Sequence, residues 1–341
     1  MGEPVTDTKS APAREVEGVR AEPAEVAVAS ALRKPFAVFD GFLPEADALA
    51  MRGHFDAHFN RPERHHPTTH QIWNYWYVPG LYTYLRTLPE KLMPRSLAAA
   101  FHARLSQWAQ ERLGLGHVTW PYLSLYVDGC AQGIHNDSTN GRFGFVYSLT
   151  RNDRHSRGGE TIVFKEGDPF RGRLTKADAG QGLYDLIDPL FNRLVIFDDR
   201  MPHGVQRIEG AMDPLDGRVV LHGHISEGDA VFAGPVSPDA VRAALAPAIE
   251  AAIDAFAATE DSHHGPLVVR IEIAPDGRVG TVHVLVDRVA RADGGDARPL
   301  VAALLANIAA LRLPPAPGPS VVTLPILVGG LLPWMQGGAG G

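Results

Sequence analysis

The 341-residue chain reads as mainly β with helices: a sandwich or jelly-roll barrel with helices packed on one side, followed by a small α+β domain. Three observations predict this. Between residues 122 and 226, six short segments rich in Val, Ile, Phe and Tyr are separated by Gly, Asn, Asp and Pro, the texture of strands joined by tight turns. Two helix-like stretches precede them, which suits a sheet covered on one face. Beyond residue 236 the order helix, hairpin, helix, strand begins a new unit.

Residues 1–33, rich in Ala, Pro, Glu and Val without periodicity, read as a flexible leader. The barrel domain is expected over 34–230. It opens with "KPFAVFDGFLPEADALAMRGHF", a short strand, a turn and a helix carrying Leu49, Met51 and Phe55. In "RSLAAAFHARLSQWAQERLG", Leu97, Phe101, Leu105 and Trp108 recur at helical steps and Gly114 is a stop. The strands are "YLSLYVDG", "GRFGFVYSLT", "GGETIVF", "NRLVIFDD", "HGVQRI" and "GRVVLHGHIS". "EGDAVFAGPVSPDA" reads as a linker. The α+β domain, 236–330, comprises the helix "DAVRAALAPAIEAAIDAFAA", a hairpin turning at Asp276-Gly277, a helix around Leu300, Leu304 and Ile308, and the strand "VVTLPILV". His263 and His264 fall in a loop and read as a solvated pair. Residues 331–341 form a Gly-rich tail.

A formal net charge of −7 with no long run of Lys and Arg argues against nucleic acid or a membrane as partner and leaves small molecules, peptides and proteins. The single cysteine, Cys130, excludes an intrachain disulfide and a thiolate metal cluster and suits a reducing compartment. No basic start followed by an apolar core is present at the N-terminus, so no secretory signal is read and a cytoplasmic location is expected. The most apolar stretch, "VVTLPILVGGLLPWM", falls short of the about 20 residues of a membrane span and is broken by Pro and Gly.

The chemistry gathers around "QGIHNDSTNG". His135 and Asp137 stand two apart in an extended segment and present an imidazole and a carboxylate to one point. His203, in "NRLVIFDDRMPHGVQRIEG", opens a later strand. Two histidines and one carboxylate on one face of a metal leave other positions open, which suits non-haem Fe(II) that activates oxygen. Arg218 follows fifteen residues after His203, and its planar fork suits a carboxylate gripped through two hydrogen bonds. If Arg218 points inward, Val220, His222 and His224 share its face, and His222 is either close to the metal or a hydrogen-bonded structural residue.

The ordered set HxD, H, R resembles the Fe(II)- and 2-oxoglutarate-dependent oxygenases, particularly their prolyl-hydroxylase-like branch, over residues 34–227. "LSLYVDGCAQGIHND", "FVYSLTRND", "RGGETIVF" and "NRLVIFDDRMPHGVQRI" carry the similarity. It implies a double-stranded β-helix (jelly-roll) core, with His135, Asp137 and His203 as iron ligands and Arg218 as anchor for the distal carboxylate of 2-oxoglutarate. Tyr126 matches a pocket tyrosine, Thr161 falls in the pocket-lining strand, and Ser148 stands where some relatives place a second tyrosine. It further implies O2 as cosubstrate, ascorbate as a stimulant, and hydroxylation of an unactivated C–H bond of a peptidyl or free amino acid; Asp137 argues against halogenation. The alternatives are a module that holds a metal without turnover, and a cupin-like metalloenzyme that does not use 2-oxoglutarate.

"HQIWNYWYVPGLYTY" precedes the barrel, and Trp73, Tyr75, Trp76 and Tyr77 either stack on substrate or pack helix against sheet. In "RPERHHPTTH", a polar loop, Arg61 and Arg64 are candidates to meet an acidic substrate. Residues 236–330 resemble the small TonB C-terminal-like fold. That implies a protein partner, a peptide or self-association, through strand addition at the hairpin edge, with a stabilising appendage as the alternative.

Overall fold

A computed structural model describes residues 24–29, 31–61, 72–138, 140–165, 182–258 and 263–329. The expected leader up to residue 23, the loop containing Arg64 and the Gly-rich tail lie outside the described residues. The first half contains β1 (Glu25–Ala27), β2 (Phe36–Asp40), α1 (Glu45–Phe59), β3 (Asn74–Val78), β4 (Tyr82–Thr87), α2 (Arg95–Arg112), β5 (His117–Val118), β6 (Tyr122–Tyr126), β7 (Ala131–His135) and β8 (Phe143–Ser148). Then come β9 (Thr161–Phe164), β10 (Tyr184–Ile187), β11 (Arg193–Asp198), β12 (His203–Val205), β13 (Arg218–Ser226) and β14 (Val231–Ala233). The chain continues through α3 (Pro238–Ala257), β15 (His263–Ile273), β16 (Val279–Asp287), β17 (Ala290–Arg291), α4 (Arg298–Ala309) and β18 (Ser320–Val328).

Most of this is β. One curled antiparallel sheet has the order β10-β9-β12-β7-β4-β6-β13-β8-β11-β2, with β3 added on β4 and β5 on β13. Strand alternation sorts its side chains. On β13, Val219, Leu221 and Ile225 are fully buried in the core, while Arg218, Val220, His222 and His224 line an interior cavity. α1 and α2 cover the outer face: Met51, Phe55, Phe101 and Leu105 join Leu123, Leu125, Phe145 and Tyr147 in one cluster, with Phe101 and Tyr147 rings 4.9 Å apart.

The second sheet runs β1-β16-β15-β18-β14, with β17 on β15. α3 and α4 bury Val241, Leu245, Val301, Leu304 and Ile308 against Leu267, Val269, Ile271, Val282 and Val284. This unit packs onto the barrel: Val268, Leu285 and Val286 belong to the barrel's own core cluster. Arg270 donates from Nη2 to the carbonyls of Gln110 and Glu111 at the end of α2, both at 3.1 Å. Gly114, at φ +67°, ends that helix, and a Cβ there would meet Val268, Thr323 and Leu285 within 3.0 Å.

Four expectations are corrected. Glu25–Ala27, assigned to the leader, pairs in parallel with Thr281–His283, because a short strand borrows its order from a partner distant in sequence. That pairing occupies part of the β16 edge, while β15 is paired on both sides, so the hairpin is not the open edge expected. Val231–Ala233 of the expected linker is β14, paired with β18. His263 and His264 begin β15; His263 is buried, and His264 meets Arg200 from the barrel, with Nδ1 2.8 Å from Arg200 Nη1.

The joint centres on Asp198, whose carboxylate is almost wholly removed from water. Its Oδ2 accepts from Arg200 Nη2 at 2.6 Å and from Arg288 Nε of the second unit at 3.0 Å. Burial alone would raise its pKa, but the Arg200 hydrogen bond and the charges of Arg200 and Arg288 outweigh that and hold it below the usual carboxylate range. Arg200 also donates to the carbonyls of His264 at 3.0 Å and Arg288 at 2.7 Å. Arg288→Met is expected to destabilise the protein by about 1.5–3 kcal/mol, the worth of a hydrogen bond to a charged group, measured by denaturant unfolding. A midpoint unchanged from wild type would show that the joint does not depend on this pair.

Candidate active site

Register brings the metal-type donors together. His135 closes β7 and stands opposite His203, the first residue of β12, so that the two imidazole centroids lie 4.4 Å apart. Asp137 follows β7 by two residues and is held by its backbone N–H, which donates to the Asp199 carbonyl at 2.9 Å. Its Oδ2 is 3.4 Å from His203 Nε2 and 3.7 Å from His135 Nε2.

The tautomers follow from the partners. His135 Nδ1 lies 2.8 Å from the Gly133 carbonyl and His203 Nδ1 lies 2.9 Å from the Met201 carbonyl. A carbonyl only accepts, so each Nδ1 donates its proton and each Nε2 is left facing Asp137. A neutral ring then turns a lone pair toward a carboxylate, which repels unless positive charge lies among the three atoms. Against burial, which would raise Asp137 and lower His135, imidazoles carrying positive charge hold Asp137 far below the usual carboxylate range and Asp137 drives His135 upward. A metal ion among the three atoms would supply that charge in their place. The donor set therefore fits a divalent cation, and two imidazoles with one carboxylate suit iron.

A second group, Asp137, Asp199 and His224, also converges. There His224 Nδ1 is engaged 3.0 Å from Asp199 Oδ2. Burial pushes the Asp199 carboxyl up to about 6, and its Oδ1 has no hydrogen-bond partner. What Asp199 gives Asp137 is its backbone carbonyl, which accepts the Asp137 N–H. Asp199 was missed in the sequence, where its signal was the doubled aspartate that ends "NRLVIFDD".

Arg218 lies behind the donors, with 1% exposure. Its Nη2 donates to Thr161 Oγ1 at 3.1 Å, and its guanidinium sits 4.8 Å from the Tyr126 ring centre. Nε has no hydrogen-bond partner, and no carboxylate ion-pairs with this cation among the described residues. Burial lowers its pKa. Tyr126 stacks on Tyr84 at 4.9 Å, and its hydroxyl donates to Gln132 Oε1 at 3.4 Å; Gln132 Nε2 is 3.3 Å from His135 Nε2. Tyr84 and Gln132, not anticipated as site residues, thus join Arg218 to the donors.

One cavity of about 260 Å³ is lined by His135, Asp137, His203, Arg218, Tyr84 and Gln132. His222 lines it too, with Nε2 2.8 Å from Ser124 Oγ; burial, then the charge of Arg86, pushes its pKa down to about 3 and keeps the ring neutral. Ser148 donates to the Pro189 carbonyl at 2.8 Å and offers nothing to Arg218. Of the four aromatics singled out before the barrel, Trp76 alone lines the cavity. Trp73 packs on Phe55 and Phe59, while Tyr75 and Tyr77 stack on each other in solvent. Arg61 is exposed. No helix among the described residues is long and apolar enough to cross a membrane.

No family model matches the chain, and no curated protein does. Among solved structures it is similar to a Pseudomonas putida prolyl-4-hydroxylase, at 17% identity over 57% of this chain and 94% of that one, with a TM-score of 0.39. It is also similar to a Trichoplax adhaerens prolyl hydroxylase solved with a hypoxia inducible factor peptide, at 15% identity, 55% and 81% coverage and a TM-score of 0.39. A third is the non-haem alpha ketoglutarate dependent epimerase SnoN from nogalamycin biosynthesis, at 13% identity, 56% and 77% coverage and a TM-score of 0.39. The chemistry is accordingly read from the cavity's own residues.

His203→Ala is expected to weaken Co(II) binding, followed by visible absorption, by more than about 100-fold, beyond the usual effect of losing an outer partner. His222→Ala is expected to stay within about tenfold of wild type. Equal losses in the two variants would remove His203 from its assigned role.

Proposed function

We propose that the chain is a non-haem iron oxygenase that couples oxidative decarboxylation of 2-oxoglutarate to hydroxylation of an unactivated C–H bond. One observation carries this: a single cavity joins a two-histidine, one-carboxylate donor set to a fully buried guanidinium that lacks a carboxylate partner. A buried cation with no carboxylate in direct contact, acted on by Glu160 only through its charge, is costly, and a ligand carboxylate would relieve it.

His135, Asp137 and His203 would hold the iron. When bound, iron and 2-oxoglutarate supply the oxidising chemistry, in which O2 delivers one oxygen atom to the substrate and one to succinate as carbon dioxide is lost. The chain does the rest. Arg218 grips the far carboxylate of 2-oxoglutarate, and Thr161 holds Nη2 so that the fork stays aimed into the cavity. Tyr84 and Tyr126 wall off water beside it, which strengthens that ion pair. Gly133 and Met201 carbonyls fix both imidazoles in the ligating tautomer before a metal arrives. Asp137 would give the metal a carboxylate ligand rather than leave room for a halide, so the outcome favoured is hydroxylation.

The reading is tested by adding Fe(II) and then 2-oxoglutarate anaerobically to metal-free protein and recording visible absorption. Wild type is expected to develop a weak metal-to-ligand charge-transfer band. Arg218→Gln should require about 10–100-fold more 2-oxoglutarate for the same band, the cost of a lost charged hydrogen-bond pair, and Arg218→Lys should restore little because an ammonium lacks the fork. A wild type that binds Fe(II) but shows no response to 2-oxoglutarate would favour a cupin-like enzyme or a metal-holding module.

A further inference from the structure

The cavity holds a second cation that this chemistry does not use. Arg86, on the inward face of β4, lines it together with Arg218, and among the described residues Asp137 is the only carboxylate in the same lining. Register sets Arg86 opposite Ser124 of β6, whose hydroxyl meets His222. On β13, Val220 is level with Ser124 and Arg218 with Tyr126. Arg86 thus stands one inward step along the barrel from the level of Arg218 and two strands away, roughly 12 Å between backbones at ordinary strand spacings. The two guanidiniums serve different ends of the cavity.

Arg86 is held ready. Its guanidinium carbon is 3.7 Å from the centre of the Trp76 ring and 4.1 Å from that of Tyr122. Both rings are within cation–π reach, which holds the guanidinium while its planar N–H fork can still meet an anion. Trp76 and Tyr122 are partly exposed, so this end is the mouth of the cavity. No carboxylate ion-pairs with Arg86 among the described residues. Its charge reaches inward, since both Tyr84 and His222 feel it.

Charge balance decides what Arg86 is for. Among the described lining residues the two guanidiniums outnumber the Asp137 carboxylate, and a 2-oxoglutarate held at Arg218 would leave Arg86 still in need of an anion. We infer that Arg86, with Trp76 and Tyr122 against it, binds the carboxylate of the substrate that is oxidised. A cavity of about 260 Å³ that must also take 2-oxoglutarate has room for a small free acid or free amino acid rather than a residue inside a peptide chain. The inference rests on the oxygenase reading above, and it narrows that reading to one half of the peptidyl or free amino acid choice.

The experiment uses full-length protein loaded anaerobically with Fe(II) and 2-oxoglutarate, after the charge-transfer band has been recorded for wild type. Free L-amino acids and short aliphatic monocarboxylic acids are titrated calorimetrically, each beside its primary amide. At least one acid is expected to bind about tenfold or more tightly than its amide, and Arg86→Gln, checked for folding by its thermal midpoint, is expected to abolish that preference. Trp76→Leu, which removes one of the two rings, should give an intermediate loss. Acids and amides binding alike, no acid binding to protein that shows the band, or a preference retained in Arg86→Gln would each overturn the inference while leaving the oxygenase reading in place. Absence of the band in wild type would overturn the oxygenase reading, and the inference with it.

Discussion

The Asp198 carboxylate is the interaction on which the remainder hangs. It sits at the end of β11, removed from water, and accepts from a guanidinium on its own turn and another from the second sheet. The same turn supplies the Met201 carbonyl that fixes the His203 tautomer and the Asp199 carbonyl that holds Asp137. A buried carboxylate with two cationic partners tolerates little movement, because any loosening exposes charge to a low-dielectric interior. The second unit is therefore more than a neighbour of the barrel. Its Arg288 reaches the turn from which two of the three metal-type donors take their positions.

The interior is arranged by sign. Acidic groups lie on one side, where Asp137 faces two imidazoles and Asp199 faces a third. Cationic groups lie on the other, on β4 and β13, and between them are rings and amides: Tyr84, Tyr126, Gln132 and a neutral His222. In a cavity of this size such separation is expensive without a ligand that carries charge at more than one point.

Much of this was legible because strand parity is strict. Once Arg218 is set inward, Val220, His222 and His224 follow, and the structure places all four on the cavity wall. The order of HxD, distal histidine and arginine could likewise be read directly. What escaped was set by distant pairing. β7 reads "AQGIH", with a glycine and a glutamine where a strand would ordinarily show branched residues, and β4 and β12 on its flanks make it a strand. Gln132, which it carries, was invisible for that reason. The aromatics before the barrel looked alike in sequence; the β3–β4 hairpin gives Trp76 to the cavity while Trp73 joins the core, a distinction that only register makes.

The parallel pairing of β1 with β16 has a consequence for how the chain is made. Glu25 is among the earliest of the described residues to leave the ribosome, and its partner Thr281 among the late ones. The first of the described strands must wait for the synthesis of β16 before it has its partner. Closing so long a loop adds little to the equilibrium cost, which grows only with the logarithm of length, but contacts this remote slow folding. The strands of the first sheet can therefore pair before the second sheet is complete. A ribosome stalled before β16 would display an orphan strand with free backbone groups, a ready template for mispairing with a neighbouring nascent chain.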